Sequence, residues 1–139
     1  MTDTGHEIRL VFRSTYDLLD IIEQVADRLS ELVGLDEDSA HWVSVAVRES
    51  AINAIKHGNQ DDPTKFVEIV IRLNRQEIQI KVTDQGDGFV PSEVPDPTDD
   101  DNLELPSGRG LMLMRSFMSL VEYNDKGNSV RMEKRRPTE

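Results

Sequence analysis

The chain has no cysteine, few aromatic residues and a large deficit of positive charge. Without cysteine it forms neither a disulfide nor a thiolate metal site, which fits a reducing compartment. Its 16 Lys and Arg residues against 27 Asp and Glu residues give a net charge of −11. Because binding to nucleic acid or anionic lipid depends on basic patches, this balance argues against both roles and favours a basic or apolar partner.

Long apolar runs are also missing, and the longest are far too short to span a bilayer. The segment from Met1 to His6 lacks the basic start and apolar stretch of a secretory signal, so we expect a cytoplasmic protein. At 139 residues, with 37% hydrophobic content, the composition predicts a single domain over residues 1–139 with a sizeable core.

Alternation of apolar and polar residues is the signal for the predicted strands. They span His6 to Phe12, Val67 to Leu73, Glu77 to Thr83, Val121 to Tyr123 and Ser129 to Glu133. The second and third strands are separated only by Asn74 to Gln76, which predicts an antiparallel hairpin.

Helical periodicity predicts a first helix from Tyr16 to Leu32, capped by Ser14 or Thr15 and ended by Gly34. Its apolar positions form one stripe on an otherwise acidic surface. The pattern therefore predicts a helix with one buried face.

A second helix is predicted from Asp38 or Ser39 to about His57, with Gly58 supplying a left-handed C-terminal turn. Apolar residues, including Trp42, lie all around it, which is typical of a helix covered on most sides.

Between the third strand and a final apolar helix lies a segment rich in proline and acidic residues. Residues 90–107 contain four prolines and six acids but no Lys or Arg, so we expect a loop that acts as a lid. The element order favours an α+β fold, a two-layer sandwich of a mostly antiparallel sheet covered on one face by helices.

The first candidate site is a line of polar residues on the second helix. Glu49 and Asn53 are four residues apart, and Lys56 and His57 continue the same face. A buried carboxylate without a partner costs several kcal/mol, so water, a cation or a ligand must reach this face. The alternative is that Glu49 pairs with Lys56 or Arg48 on a partly solvated helix.

The second candidate site directly follows a strand. Asp84, Gly86 and Gly88 place an acid at the strand end, with glycines that let the backbone approach a ligand. An aspartate there accepts a hydrogen bond from an exocyclic amine. The alternative is a simple tight turn.

The third candidate site is Gly108-Arg109-Gly110 before the apolar helix that begins at Leu111. Free N–H groups and the helix dipole favour phosphate at such a position. Glycines before helices are common, so an ordinary helix start is the alternative.

In order, the three segments resemble the N, G1 and G2 boxes of the GHKL (Bergerat) ATP-binding fold. They read Glu49-Ser-Ala-Ile-Asn53-Ala-Ile-Lys-His57-Gly58-Asn59, Asp84-Gln-Gly86-Asp-Gly88-Phe89 and Gly108-Arg-Gly110-Leu111. The resemblance covers nearly the whole chain. Within the superfamily, the size and the first segment resemble the bacterial anti-sigma-factor serine/threonine kinases, the RsbW-like family.

The resemblance implies a role for each matching residue. Asn53 would ligate Mg²⁺ on the phosphates of ATP, Glu49 would act as general base, and Asp84 would bind the adenine amine. Gly86 and Gly88 would shape the adenine side of the pocket.

On the phosphate side, the resemblance implies that Gly108, Gly110 and the helix beginning at Leu111 hold the phosphates under the lid. Positive charge near the γ-phosphate would come from Mg²⁺, Arg109 or Lys56. His57 either bonds phosphate or water or caps helix carbonyls.

The function implied is an ATP- and Mg²⁺-dependent protein-serine kinase that acts as an anti-sigma factor. Its substrate would be a STAS-domain anti-anti-sigma factor, its second partner a sigma factor, and its assembly a homodimer formed through the N-terminal strand. Two alternatives stay open: a nucleotide-gated binding module that phosphorylates nothing, and an activator that docks on a phosphatase.

Overall fold

The computed structural model describes residues 5–86 and 115–137. These residues form an antiparallel sheet with two helices on one face, as the α+β prediction required. In chain order the elements are β1 (His6–Arg13), α1 (Leu19–Val33), α2 (Glu37–Asn53), a π-helical turn (Ala54–Gly58), β2 (Phe66–Leu73), β3 (Glu77–Asp84), β4 (Leu120–Tyr123) and β5 (Ser129–Arg135).

The strands lie in the order β1-β2-β3-β5-β4, and every neighbouring pair is antiparallel. Alternate residues of the central strands point toward α1 and α2, because successive strand side chains face opposite sides of a sheet. The core therefore lies between the sheet and the helices. Its most completely buried side chains are Ile55, Ile69, Ile71, Ile78, Ile80, Met132, Val33, Val43, Val47 and Val67.

The strand predictions are confirmed, and so is the hairpin between β2 and β3. Between β2 and β3, Asn74 Oδ1 accepts hydrogen bonds from the backbone N–H groups of Gln76 at 2.8 Å and Glu77 at 3.0 Å. The turn before β5 contains Gly127 at φ 78°, a conformation that glycine adopts at little cost.

The predicted start of the first helix was wrong. Helix α1 begins at Leu19, and no side chain caps it. Ser14 instead donates a hydrogen bond to Lys65 O at 3.1 Å, while Thr15 Oγ1 accepts one from Asp17 N. The predicted end is confirmed, since Gly34 closes the helix at φ 94°.

The predicted start of the second helix and its predicted left-handed end at Gly58 were wrong, although helical structure does continue through the predicted end near His57. Helix α2 begins at Glu37, because the Asp36 carboxylate accepts the N–H of Ser39 at 2.7 Å and so caps the helix. At its other end the chain widens into the π-helical turn, and the left-handed residues are Gln60 and Asp61 rather than Gly58.

Trp42 was predicted to be covered with the rest of α2, but it is only partly buried. Its ring stacks on that of Phe117, with centroids 4.0 Å apart and an interplanar angle of 4°.

Residues 115–117 are helical, which agrees with the predicted last helix, whose remaining residues precede the described segment. None of the helices in the described ranges is long and apolar enough to span a membrane.

Candidate active site

Two polar side chains on α2 keep buried oxygens without a partner. Neither Glu49 Oε2 nor Asn53 Oδ1 has a hydrogen-bond partner within the described part of the chain. Asn53 is 8% exposed, and the two residues are one helical turn apart. A buried acceptor left unpaired costs about 1–3 kcal/mol, so this pair of oxygens indicates a place where a ligand binds.

Arg48 does not neutralise Glu49 by direct contact. Its guanidinium bonds the carboxylate of Glu23 on α1 at 2.8 Å and lies 3.6 Å from that of Asp20. Lys56 is exposed, and no ion pair within 4.0 Å reaches Glu49 from the residues that the structure describes. The alternative of a Glu49 ion pair with Arg48 or Lys56 was therefore wrong.

The environment of Glu49 suits proton transfer. Burial raises the pKa of Glu49, the charge of Arg48 lowers it, and the negative charge of Glu23 raises it further. The net shift is upward. A carboxylate with a raised pKa binds a proton more readily, which is what a general base requires.

Asp84 lies at the end of β3 and is 5% exposed. Its Oδ1 accepts the N–H of Gly86 at 2.8 Å, and its backbone N–H donates to Asn128 O at 2.9 Å. Burial raises the pKa of Asp84, although the Gly86 N–H group opposes the shift. The carboxylate is thus fixed in position while Oδ2 remains available to a donor.

Gly58 and Gly86 are glycines because nothing larger fits. A Cβ on Gly58 would overlap the Asp84 carboxylate, and a Cβ on Gly86 would overlap the carbonyl oxygen of Gly58. This contact brings the end of the π-helical turn against the end of β3. The reason for Gly58 is therefore close packing, not the left-handed turn predicted from the sequence.

Asn53 and Asp84 line one cleft between α2, β3 and the β4–β5 hairpin. Its full lining is Ser50, Asn53, Ala54, Val82, Asp84, Tyr123, Gly127, Asn128, Ser129 and Val130. Among the described residues it is a small space of about 10 Å³, room for roughly one water molecule, and its wall contains one carboxylate, two side-chain amides and several apolar side chains. The structure thus brings together two of the residues that the sequence proposed.

Lys56 and His57 are exposed on the π-helical turn, outside the lining of this cleft. In that turn the Asn59 N–H donates to Ala54 O, five residues back, at 2.8 Å. The wider turn means that Lys56 and His57 do not continue the α-helical spacing of Glu49 and Asn53. Burial and the charge of Lys56 lower the pKa of His57. A contact of either residue with nucleotide stays a prediction.

The other predicted site residues lie outside the described segments. These are Gly88, Gly108, Arg109, Gly110 and Leu111, together with the lid at 90–107. Their roles remain those that the sequence predicts.

Sequence reasoning assigned no role to Asn59, although the residue is completely buried. Its side chain bonds Ser14, Phe66 and Gln85, which belong to three other segments of the chain. The available signal in the sequence was a polar residue directly after the His57-Gly58 pair. The residues that it bonds are distant in sequence, so the sequence does not show them.

Whether Mg²⁺ fits this site depends on which side-chain atoms are available to bind it. Within the described ranges no three His, Cys, Asp or Glu side chains cluster so that they could hold a metal by themselves. Mg²⁺ commonly takes one or two protein oxygens and completes its shell with phosphates and water. The unpaired Asn53 Oδ1 is a hard oxygen ligand of this kind, so the residues fit such a site.

Comparison with known proteins identifies the family of the chain. The chain matches the family of histidine kinase-like ATPase domains over residues 12–134. An anti-sigma F factor from Clostridium perfringens is 36% identical over 101 residues, which cover 69% of this chain and 72% of the relative. One from Clostridium botulinum is 36% identical over 105 residues, with 70% and 72% covered. The serine-protein kinase RsbW of Bacillus licheniformis is 29% identical over 123 residues, with 82% and 76% covered.

The fold and the matched range define an ATPase domain of the GHKL class. The chain belongs to the histidine kinase-like ATPase family, and membership implies ATP binding. Its named relatives are anti-sigma F factors and a serine-protein kinase.

Proposed function

We propose that the chain is an ATP- and Mg²⁺-dependent protein-serine kinase and an anti-sigma factor, which phosphorylates a STAS-domain anti-anti-sigma factor and sequesters a sigma factor in the cytoplasm. The observation that carries the proposal is the Glu49–Asn53 pair. It combines a partly buried carboxylate that has one buried, unpaired oxygen with a buried amide oxygen that is also unpaired in the described structure, and Asn53 lies on the same cleft as Asp84. The names of the relatives support an anti-sigma factor and a serine-protein kinase.

In this proposal each side chain has one task. Asp84 Oδ2 accepts a hydrogen bond from the adenine amine, and Asn53 Oδ1 is a ligand of Mg²⁺. When bound, Mg²⁺ neutralises phosphate charge and orients the phosphates. The burial of Asp84 and Asn53 favours these tasks, because electrostatic interactions are stronger where water is excluded.

Glu49 supplies the proton acceptor. The substrate serine oxygen attacks the γ-phosphorus of ATP, the bond from that phosphorus to the β,γ-bridging oxygen breaks, and ADP leaves. The serine proton passes to the Glu49 carboxylate. Burial of that carboxylate supports the role, because its raised pKa favours acceptance of the proton.

A homodimer is part of the same proposal. Strand β1 forms one edge of the described sheet, with a row of backbone N–H and C=O groups facing away from β2. Edge strands of this kind pair readily with another strand. A second copy of the chain is the partner that the family resemblance implies, and light scattering at several concentrations measures it.

Calorimetric titration of ATP and ADP, with and without Mg²⁺, tests the nucleotide part of the proposal. We expect Mg²⁺-dependent binding by the wild type and a loss of roughly 10–100-fold in Asn53→Ala, because the variant lacks the ligand oxygen. Gln24→Ala, which alters an exposed residue of α1, is the control and should bind like the wild type. A folded wild type that binds no nucleotide would contradict the proposal.

Transfer is tested separately, with radiolabelled γ-phosphate of ATP and a set of purified STAS-domain proteins. Phosphoserine on one of them supports the kinase. Tight nucleotide-dependent binding of a partner, with no labelled product from any of the set, would favour the binding module instead.

A further inference from the structure

Asn59 connects four segments of the chain through one buried side chain. It follows the π-helical turn directly and is 0% exposed. Its Nδ2 donates to Ser14 Oγ at 2.9 Å, beyond β1, and to Phe66 O at 3.0 Å, in the first residue of β2. Its Oδ1 accepts the N–H of Gln85 at 2.8 Å, in the residue after β3. Every hydrogen-bonding group of the amide is thus used.

Gln85 and Phe66 close this arrangement into a ring. The Phe66 N–H donates to Gln85 Oε1 at 2.6 Å, while Phe66 O accepts from Asn59 and Gln85 N–H donates to Asn59. Gln85 is therefore held through both its backbone and its side chain. Asp84, its neighbour in the chain, has little freedom to move along the strand direction.

The neighbouring contacts are equally close. The carbonyl of Gly58 packs on Gly86, and its Cα packs on the carboxylate of Asp84. Residues 58 and 59 thus contact residues 84, 85 and 86 over a continuous seam. The seam joins the segment that carries Asn53 to the strand end that carries Asp84, and both residues line the cleft.

The side chain of Asn59 is not needed to close the π-helical turn. The backbone does this, since the Asn59 N–H reaches Ala54 O at 2.8 Å and the Asp61 N–H reaches Ile55 O at 2.8 Å. The amide group instead points away from the turn, toward the strands. Its contacts therefore set where the turn lies relative to β3.

We propose that Asn59 is a positioning residue for base recognition, which holds Asp84 through Gln85 at the place where the adenine amine is bound. This inference rests on the proposed function, because it assumes that Asp84 faces adenine. Asn59 itself touches no nucleotide in this proposal. Its loss should weaken recognition of the amine more than binding of the rest of the nucleotide.

The test compares ATP with inosine triphosphate, which carries an oxygen in place of the adenine amine. Calorimetry in Mg²⁺ gives the ratio of the two affinities for the wild type, Asn59→Ala and Ser14→Ala. Asn59→Ala removes all three side-chain bonds, whereas Ser14→Ala removes the one that leads away from Asp84, together with the Ser14 hydroxyl's own bond to Lys65 O. We expect the preference for ATP to fall at least about tenfold in Asn59→Ala and to stay unchanged in Ser14→Ala.

A purely structural role predicts a different result. Both nucleotides would then weaken by the same factor in Asn59→Ala, the ratio would be retained, and the inference would be overturned. Thermal unfolding by circular dichroism identifies any variant that fails to fold, and Asn59→Ser, whose hydroxyl retains some hydrogen bonding, then replaces it in the same comparison. A wild type that binds neither nucleotide overturns the proposed function as well, whereas an unchanged ratio overturns only the role of Asn59.

Discussion

The Cα of Gly58 packs directly on the carboxylate of Asp84, 26 residues further along the chain, and leaves no room for a Cβ. The Asp84 carboxylate is also held by a hydrogen bond from the Gly86 N–H. A methyl group at position 58 must therefore displace the carboxylate or the Gly86 backbone that holds it. The contact couples the end of the α2 segment to the base-binding end of the cleft.

Gly58→Ala should therefore lose both stability and nucleotide affinity. We expect a cost of about 1–3 kcal/mol in the free energy of unfolding, typical of overpacking, and weaker ATP binding because Asp84 moves. Gly34→Ala is the matched control, since its left-handed φ of 94° costs about 1–2 kcal/mol far from Asp84. Denaturant unfolding and calorimetry measure the two quantities. Equal ATP affinity in Gly58→Ala and the wild type would contradict the proposed place of Asp84.

Glu49→Gln should separate binding from transfer. The substitution keeps the shape of the side chain and removes its capacity to accept the serine proton, so we expect ATP affinity to stay within about twofold and phosphotransfer to fall roughly 10²–10⁴-fold. Glu37→Gln, on the exposed first turn of the same helix, should transfer like the wild type. Undiminished transfer by Glu49→Gln would remove Glu49 from the role of base.

The pH dependence of transfer should move in opposite directions in two variants. The rate requires ionised Glu49, so it rises with pH through the pKa of that group, which burial places above that of an ordinary glutamate. Arg48 lowers this pKa and Glu23 raises it. The acid limb of the kcat profile should therefore shift to higher pH in Arg48→Met and to lower pH in Glu23→Gln. A shift in the same direction in both variants, or in neither, would contradict Glu49 as the titrating group.

Asp84→Asn should show a stability difference that depends on pH. The pKa of Asp84 is raised in the folded protein, so in the acid range the unfolded chain ionises before the folded one as pH rises. This ionisation costs stability progressively between the unfolded and folded pKa values, and the cost persists above them. The asparagine variant lacks the cost and keeps an acceptor for the Gly86 N–H. Its advantage in unfolding free energy should therefore grow with pH and then level off, while ATP binding weakens.

The parts of the fold that were predictable from sequence depend on local patterns. Strand β1 and the β2–β3 hairpin follow from alternation, and the spacing of Glu49 and Asn53 follows from helical geometry. The start of α1 was not predictable in this way, because Ser14 bonds Lys65, 51 residues away, instead of capping the helix. The residues next to a helix start indicate which side chain could cap it, but they do not show a distant group that competes for that side chain.

The same limit explains what was missed at the site. Asp84 was recognisable as an acid at a strand end. Gly58 is required by its contact with Asp84, and Asn59 bonds Gln85; each of these partners lies 26 residues further along the chain. The periodicity of the sequence does not predict the π-helical turn either, because such a turn differs from an α-helical turn by one residue.

The stacked pair of Trp42 and Phe117 gives the protein a built-in optical probe. Trp42 is the chain's single tryptophan, so its emission has one source. The indole lies on α2, and its stacking partner belongs to the segment after the predicted lid. Any ligand or partner that changes the distance between these two rings will change the emission, so binding can be followed in solution without attaching a dye.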